Sequence, residues 1–257
     1  PTAGATTIGP AAVAWAWEDR VVPEALPGLL DEVDAERAAF LGPPARHRLR
    51  VGRLLLHHLV AERFPAATGW AVTPGRCARC GDAHLGPRLS GVPALASVAY
   101  ADGLVVAALA PSTHVGRLGV EAERDTVEQE RLDELHRLLG QSSEKVVRRW
   151  TRVEAVLKAD GRGLLIDPGA VWLRRGGAWI AGQKSSYLLA DVAGPPGFVI
   201  SLAWSAGEPP VGGRPASRTA GFTTGKTEHH HLRDQARSDA ERGHAARMRL
   251  GQFIRDS

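Results

Sequence analysis

Trp150-Thr-Arg-Val-Glu-Ala-Val-Leu-Lys-Ala-Asp-Gly-Arg-Gly-Leu164 is the stretch around which the rest of the chain is read. Val146, Trp150, Val153 and Leu157 recur every three or four residues, so the spacing predicts an amphipathic helix with one stripe against a core. Glu154 and Lys158 stand four apart on a neighbouring stripe, and Gly161 and Gly163 end the helix with a sharp turn of the backbone. The plain reading of that spacing is a surface ion pair worth roughly 0.2–0.5 kcal/mol. The competing reading, a pair held in a functional site, depends on residues elsewhere in the chain.

The chain has 257 residues, 44% of them hydrophobic, enough for one large domain or two smaller ones with packed cores. No run approaches the roughly 18 uninterrupted apolar residues of a membrane helix, and the beginning carries no charged segment followed by an apolar one. A cytoplasmic protein that does not engage a membrane is the expectation, although the chain opens on Pro1 rather than on a methionine. Cys77, Cys80 and His84 offer three soft ligands where structural zinc takes four, so reduced thiols in a turn are expected there. The net charge of +4 and the pI near 9.5 favour an acidic partner. Nucleic acid is not the expected one, because the basic residues between Leu232 and Leu250 have no interleaved aromatic rings on which bases would stack.

Ala11 to Glu18 alternates with Val13, Trp15 and Trp17 on one side, the period of a strand. Leu29 to Phe40 has helical spacing and is broken by Gly42-Pro43-Pro44; a second helix is expected from about Arg46 to Phe64, with Leu49, Leu56 and Val60 inward. Arg46, Arg48, Arg50 and Arg53 crowd its first turns, where cations oppose the helix dipole, and either a solvated basic face or an anionic visitor accounts for them. From Gly69 onward the signals are those of strands. Ala94 to Tyr100 and Leu104 to Leu109 flank Ala101-Asp102-Gly103 as a hairpin, and Leu118 to Ala122 is a further strand. A polar helix carrying Leu132, Leu135, Leu138 and Leu139 follows, then the opening helix. A second hairpin is expected at Val171 to Ala181 around Gly176-Gly177, and a last strand from Gly197 to Ser205. The order strand, helices, hairpin occurs once before about residue 112 and once after it. The expected organisation is therefore an N-terminal half at 1–111, a C-terminal half at 112–205 and a flexible basic tail at 206–257, poor in apolar residues at its start.

Glu121 and Glu123 in Leu118-Gly-Val-Glu-Ala-Glu123 are two apart on a strand, so both carboxylates project to one side. Two like charges kept together call for a cation or for separation by water. Were the later helix to bring Glu154 to them, three carboxylates would form a hard oxygen site suited to Mg²⁺ or Mn²⁺, with Lys158 one turn on facing the same phosphates.

Gly119-Val-Glu-Ala-Glu123, followed about thirty residues later by Trp150 to Leu164, resembles the two signatures of the 4'-phosphopantetheinyl transferase family in its larger, surfactin-synthetase-type class. Those signatures run Gly-Val-Asp-x-Glu and Trp-x-x-Lys-Glu-Ala-x-x-Lys with a following Gly-x-Gly-Leu. The likeness covers most of residues 11–205, including the arginine-rich helix start and Cys80-Gly-Asp-Ala-His84. It implies an α+β fold built as a pseudo-twofold pair of similar halves, with coenzyme A between them. The implied reaction is metal-dependent transfer of 4'-phosphopantetheine from coenzyme A to a serine of an acidic acyl or peptidyl carrier protein by a monomeric enzyme.

On that resemblance Glu121, Glu123 and Glu154 would hold Mg²⁺ or Mn²⁺. Glu154 or a water it holds would be the base, Lys158 would steady a phosphate, and Arg48 would meet the coenzyme's 3'-phosphate. The chain departs from the family at the site. Glu121 stands for an aspartate, Ala99-Tyr100-Ala101 for Ser-His-Ser, Val153 for a lysine and Gly86 for another. Arg46, Arg50 and Arg53 are the cations at hand to replace the lost ones, and Arg53 and Tyr100 join Arg48 and Lys158 as expected coenzyme-binding residues. The alternative is a family member repurposed to another biosynthetic reaction, or one that only binds a carrier protein.

Overall fold

Ala11 to Trp17 is apolar at every position, not at alternate ones, and the reason is that this strand is covered on both faces. Val13 and Trp15 pack into one core, while Ala12, Ala14 and Ala16 pack into another. The computed structural model describes residues 3–21, 29–75, 85–140 and 145–206, which lie in one compact unit. Strands β1 (Ala3–Ile8), β2 (Ala11–Trp17), β5 (Ala94–Ala101) and β6 (Leu104–Pro111) form a sheet in the order β1-β2-β6-β5. Strands β7 (Val115–Arg124), β8 (Val171–Arg174), β9 (Gly177–Ile180), β10 (Ser186–Val192) and β11 (Phe198–Ala206) form a second, in the order β7-β11-β10-β9-β8. A separate ribbon pairs β3 (Ala71–Gly75) with β4 (Leu85–Ser90). Every one of these pairings is antiparallel.

The helices are α1 (Glu32–Ala39), α2 (Pro43–Arg63), α3 (Gln129–Leu139) and α4 (Val146–Asp160). Between the two sheets lies a core of Val13, Trp15, Leu104 and Val106 from the first and Leu118, Val120, Ile200 and Leu202 from the second. The far face of the first sheet is covered by Val51, Leu55, Leu56, Leu59 and Val60 of α2. The far face of the second is covered by α4, whose Trp150, Val153 and Leu157 are buried there with Leu135 and Leu139 of α3. The apolar stripe read from the sequence is thus the buried stripe of α4. The fold is mixed α+β, as expected at that level.

Several boundaries differ from expectation for local reasons. The prolines after Gly42 are the first turn of α2 rather than a gap before it, because the first helical N–H groups have no intrahelical acceptor to lose. Asp102 and Gly103 take positive φ of 42° and 81°, the conformation that turns β5 directly into β6. Strands β1 and β10 had no clear signal: β1 is a half-exposed edge strand held by its ladder to β2, and β10 mixes exposed Leu188 with buried Tyr187. Among the described residues no helix is long and apolar enough to cross a membrane. Cys77, Cys80 and His84, and the expected tail beyond Ala206, lie outside the described residues.

Candidate active site

Strand β7 shows two different faces. Leu118, Val120 and Ala122 enter the core between the sheets, so Arg117, Gly119, Glu121 and Glu123 point the other way, toward α4. Gly119 lets the helix come close: a Cβ there would lie 2.1 Å from the Ala155 carbonyl oxygen and 2.5 Å from the Ala159 nitrogen. The close approach brings the side chains of α4 onto the glutamates of β7.

Lys158 Nζ lies 2.6 Å from Glu121 Oε2 and donates to the Val98 carbonyl of β5 at 3.2 Å. Glu121 is only 6% exposed, and its other oxygen, Oε1, accepts from the Ala122 amide at 3.0 Å. The Lys158 ammonium is the counter-charge of Oε2, which has no aligned hydrogen-bond donor. Burial pulls the Lys158 ammonium down, but the charges of Glu121 and Glu154 and the contact with Glu121 outweigh it and leave its pKa raised.

Glu154 stands one turn earlier on α4. Burial, reinforced by the charges of Glu121 and Glu123 against the opposing Lys158 and Arg131, pushes its carboxyl up to about 8. Glu123 is also raised, first by burial and then by Glu121, while Arg131 of α3 pulls it back. Arg131 Nη2 is 3.7 Å from Glu123 Oε2, its Nη1 donates to Glu134 at 2.7 Å, and its guanidinium lies over the Trp150 ring at 5.4 Å. Three carboxyl groups, one ammonium and one guanidinium therefore share a single electrostatic neighbourhood.

Tyr100 of β5 connects this cluster with α2. Its hydroxyl lies over Gly52, where a Cβ would be 2.8 Å from it. The residue is 40% exposed, while burial raises its phenol against the pull of Arg53, Arg37 and Lys158. The site residues expected from the sequence fall into two groups. Glu121, Glu123, Glu154, Lys158 and Tyr100 come together. Arg53 is locked in a buried pair with Asp34, in which Nη2 donates to Oδ1 at 3.0 Å and Nε contacts Oδ2, so its field reaches Tyr100 while its donors face α1. Arg48 Nε pairs with Glu18 at 3.6 Å, and Arg46 donates to the Ala38 and Leu41 carbonyls at 2.9 and 3.0 Å, closing the end of α1.

Arg131 and Arg37 act on the cluster without having been singled out from the sequence. Arg131 sat unremarked beside the leucines of α3. Arg37 is one turn beyond Asp34 on α1, and only the Asp34–Arg53 pair reveals which way that face of α1 looks.

The donor chemistry suits a hard divalent cation, since the charge of Glu121 adds to what burial does at Glu154 and Glu123, and a single ammonium stands among the three carboxyl groups. As they stand, they are not gathered around one point: among the described residues no group of three or more His, Cys, Asp or Glu is arranged to hold a metal ion. Lys158 occupies Glu121 instead. No protein-family model matches the chain, and no curated protein matches it either.

Proposed function

We propose that the protein transfers the 4'-phosphopantetheine group of coenzyme A to a serine of an acidic acyl or peptidyl carrier protein, in a metal-dependent reaction. The observation that carries this reading is the placement of Glu121, Glu123 and Glu154 in one electrostatic neighbourhood with Lys158 between β7 and α4, where burial first, and then the charges of Glu121 and Glu123, push the Glu154 carboxyl up to about 8. Perturbed carboxyls gathered beside a lysine mark a site suited to chemistry more than to stability.

Glu121, Glu123 and Glu154 would hold Mg²⁺ or Mn²⁺, which supplies charge neutralisation at the pyrophosphate. The remaining work falls to the protein's own groups. Lys158, released from Glu121, turns its ammonium to a phosphate oxygen. Glu154, once ionised, takes the proton of the carrier serine hydroxyl, directly or through a water, as the serine oxygen bonds to phosphorus and the bond to adenosine 3',5'-bisphosphate breaks. Tyr100 offers a neutral donor over Gly52, where the charges of Arg53, Arg37 and Lys158 act on it against that of Asp34. Included in the proposal are a pseudo-twofold relation between residues 1–111 and 112–205, a monomeric state and a cytoplasmic location. For the first of these, the support is that α2 and α4 each lie on the outer face of an antiparallel sheet.

The second reading, a family member turned to another reaction or to carrier binding alone, is favoured by the engagement of Arg53 with Asp34 and of Arg48 with Glu18. Titration calorimetry with coenzyme A separates the two. Tight binding that requires Mg²⁺ supports the transferase; absence of binding with or without Mg²⁺ overturns it.

A further inference from the structure

We propose that Arg117, Asp160 and Tyr187 are positioning residues that hold the C-terminal half of α4 in register on β7 and thereby keep Lys158 against Glu121. Asp160 is the last residue of α4, and its carboxylate is almost wholly enclosed, with the side chain 1% exposed. Oδ2 accepts from Arg117 Nη1 at 2.7 Å and from the Tyr187 hydroxyl at 2.9 Å, and Oδ1 accepts from Arg162 Nε at 2.5 Å. Arg117 Nη1 also reaches the Asp160 carbonyl oxygen at 3.0 Å and the Tyr187 hydroxyl at 3.2 Å. The end of the helix is thus tied to β7 through Arg117 and to β10 through Tyr187.

Apolar packing sets the depth of α4 on its sheet, and the Asp160 network adds a directed polar tie to β7 at the helix end. Gly119 permits close approach, but without a side chain it offers nothing to resist sliding along the helix axis. Thr151 Oγ1 to Ser201 Oγ at 2.8 Å and Arg152 Nη2 to Asp191 Oδ2 at 2.9 Å tie the middle of α4 to β11 and β10 rather than to β7. Lys158 lies within the Ala155–Ala159 span that faces Gly119, two residues before the Asp160 anchor. A slip of one residue turns a helix by about 100° and moves it about 1.5 Å, enough to swing the ammonium off the Glu121 face. Arg117 and Glu121 share one face of β7, so a single strand sets the distance between anchor and site.

The geometry stands on its own; only its importance for turnover rests on the function proposed above. The chain has four lysines, Lys145, Lys158, Lys184 and Lys226, which allows each amine to be followed separately by low-stoichiometry acylation and peptide mass spectrometry. In the full chain, Arg117→Ala is expected to speed Lys158 labelling by roughly three- to tenfold, the scale of one weakened charge-assisted contact, with Lys145 and Lys184 unchanged. Asp160→Asn and Tyr187→Phe, which each keep part of the network, are expected to give smaller increases in the same amine alone. An unchanged Lys158 rate in folded Arg117→Ala overturns the proposal, and so does a parallel rise at Lys145 and Lys184. Should Arg117→Ala fail to fold, Tyr187→Phe decides by the same two criteria. In a transfer assay the variants are expected to lower kcat while leaving the KM for coenzyme A within about twofold, since the coenzyme's other contacts are untouched. Absence of transfer by the wild-type chain would count against the function and leave the labelling result to judge the positioning role.

Discussion

Replacing Gly119 by alanine puts a methyl carbon 2.1 Å from the Ala155 carbonyl oxygen and 2.5 Å from the Ala159 nitrogen. Ordinary non-bonded contacts are about 3.5 Å, so β7 and α4 must part by roughly 1 Å or more. The offending atoms belong to helix backbone, and no side-chain rotation relieves them. Overpacking costs typically about 1–3 kcal/mol, and a rigid neighbour places this substitution at or above the upper end. Withdrawal of α4 also thins the contacts of Ala155 and Ala159, both buried in the core beneath the helix. An expected loss of about 3 kcal/mol or more follows, read from the urea midpoint at unchanged m-value. Gly86→Ala is the control, since its Cβ meets nothing within 4 Å. It should change stability by less than about 0.5 kcal/mol. A Gly119→Ala protein within about 0.5 kcal/mol of wild type would refute the argument that this glycine admits the helix.

Arg53→Ala leaves Asp34, fully buried, without its partner, and should cost about 3–5 kcal/mol in urea unfolding. Arg53→Met combined with Asp34→Leu should recover most of that loss, whereas a ligand-binding role alone for Arg53 would leave stability unchanged in Arg53→Ala. The Glu154 carboxyl, raised in the folded state from its ordinary 4.5 to about 8, holds its proton through an interval where the unfolded chain has lost it. Its contribution to stability is complete below about 4.5 and is lost as pH rises through about 8, so in the absence of divalent cations wild-type stability should fall across that window. Glu154→Gln, neutral throughout, should flatten the slope; an identical slope in urea titrations from pH 5 to 8.5 would show that Glu154 is not the group responsible.

What was legible in the sequence is what depends on local periodicity. The stripe of Val146, Trp150, Val153 and Leu157 specified α4 and its buried face, and Asp102-Gly103 specified a hairpin. The two-residue spacing of Glu121 and Glu123 placed both carboxylates on one side of β7 because a strand leaves no other choice. Long-range pairings were not legible. Glu154 and Lys158 read as a possible pair on one helix, yet Lys158 makes its ion pair with Glu121 of β7, a choice settled by how closely Gly119 lets α4 approach. Arg53 read as a cation for a ligand. Its partner Asp34 lies on a helix that the sequence marks only by period, and nothing local joins the two. Tyr100 drew notice through resemblance, but its neighbours Gly52 and Arg37 come from two further elements whose packing no local pattern encodes.

The most direct test of the central claim is intact mass spectrometry of apo acyl and peptidyl carrier proteins incubated with the full chain, coenzyme A and Mg²⁺. The account predicts a gain of one phosphopantetheinyl group on at least one carrier, dependent on Mg²⁺ and lost in Glu154→Gln although that variant remains folded. No gain on any carrier, or a gain that persists undiminished in Glu154→Gln, would contradict it.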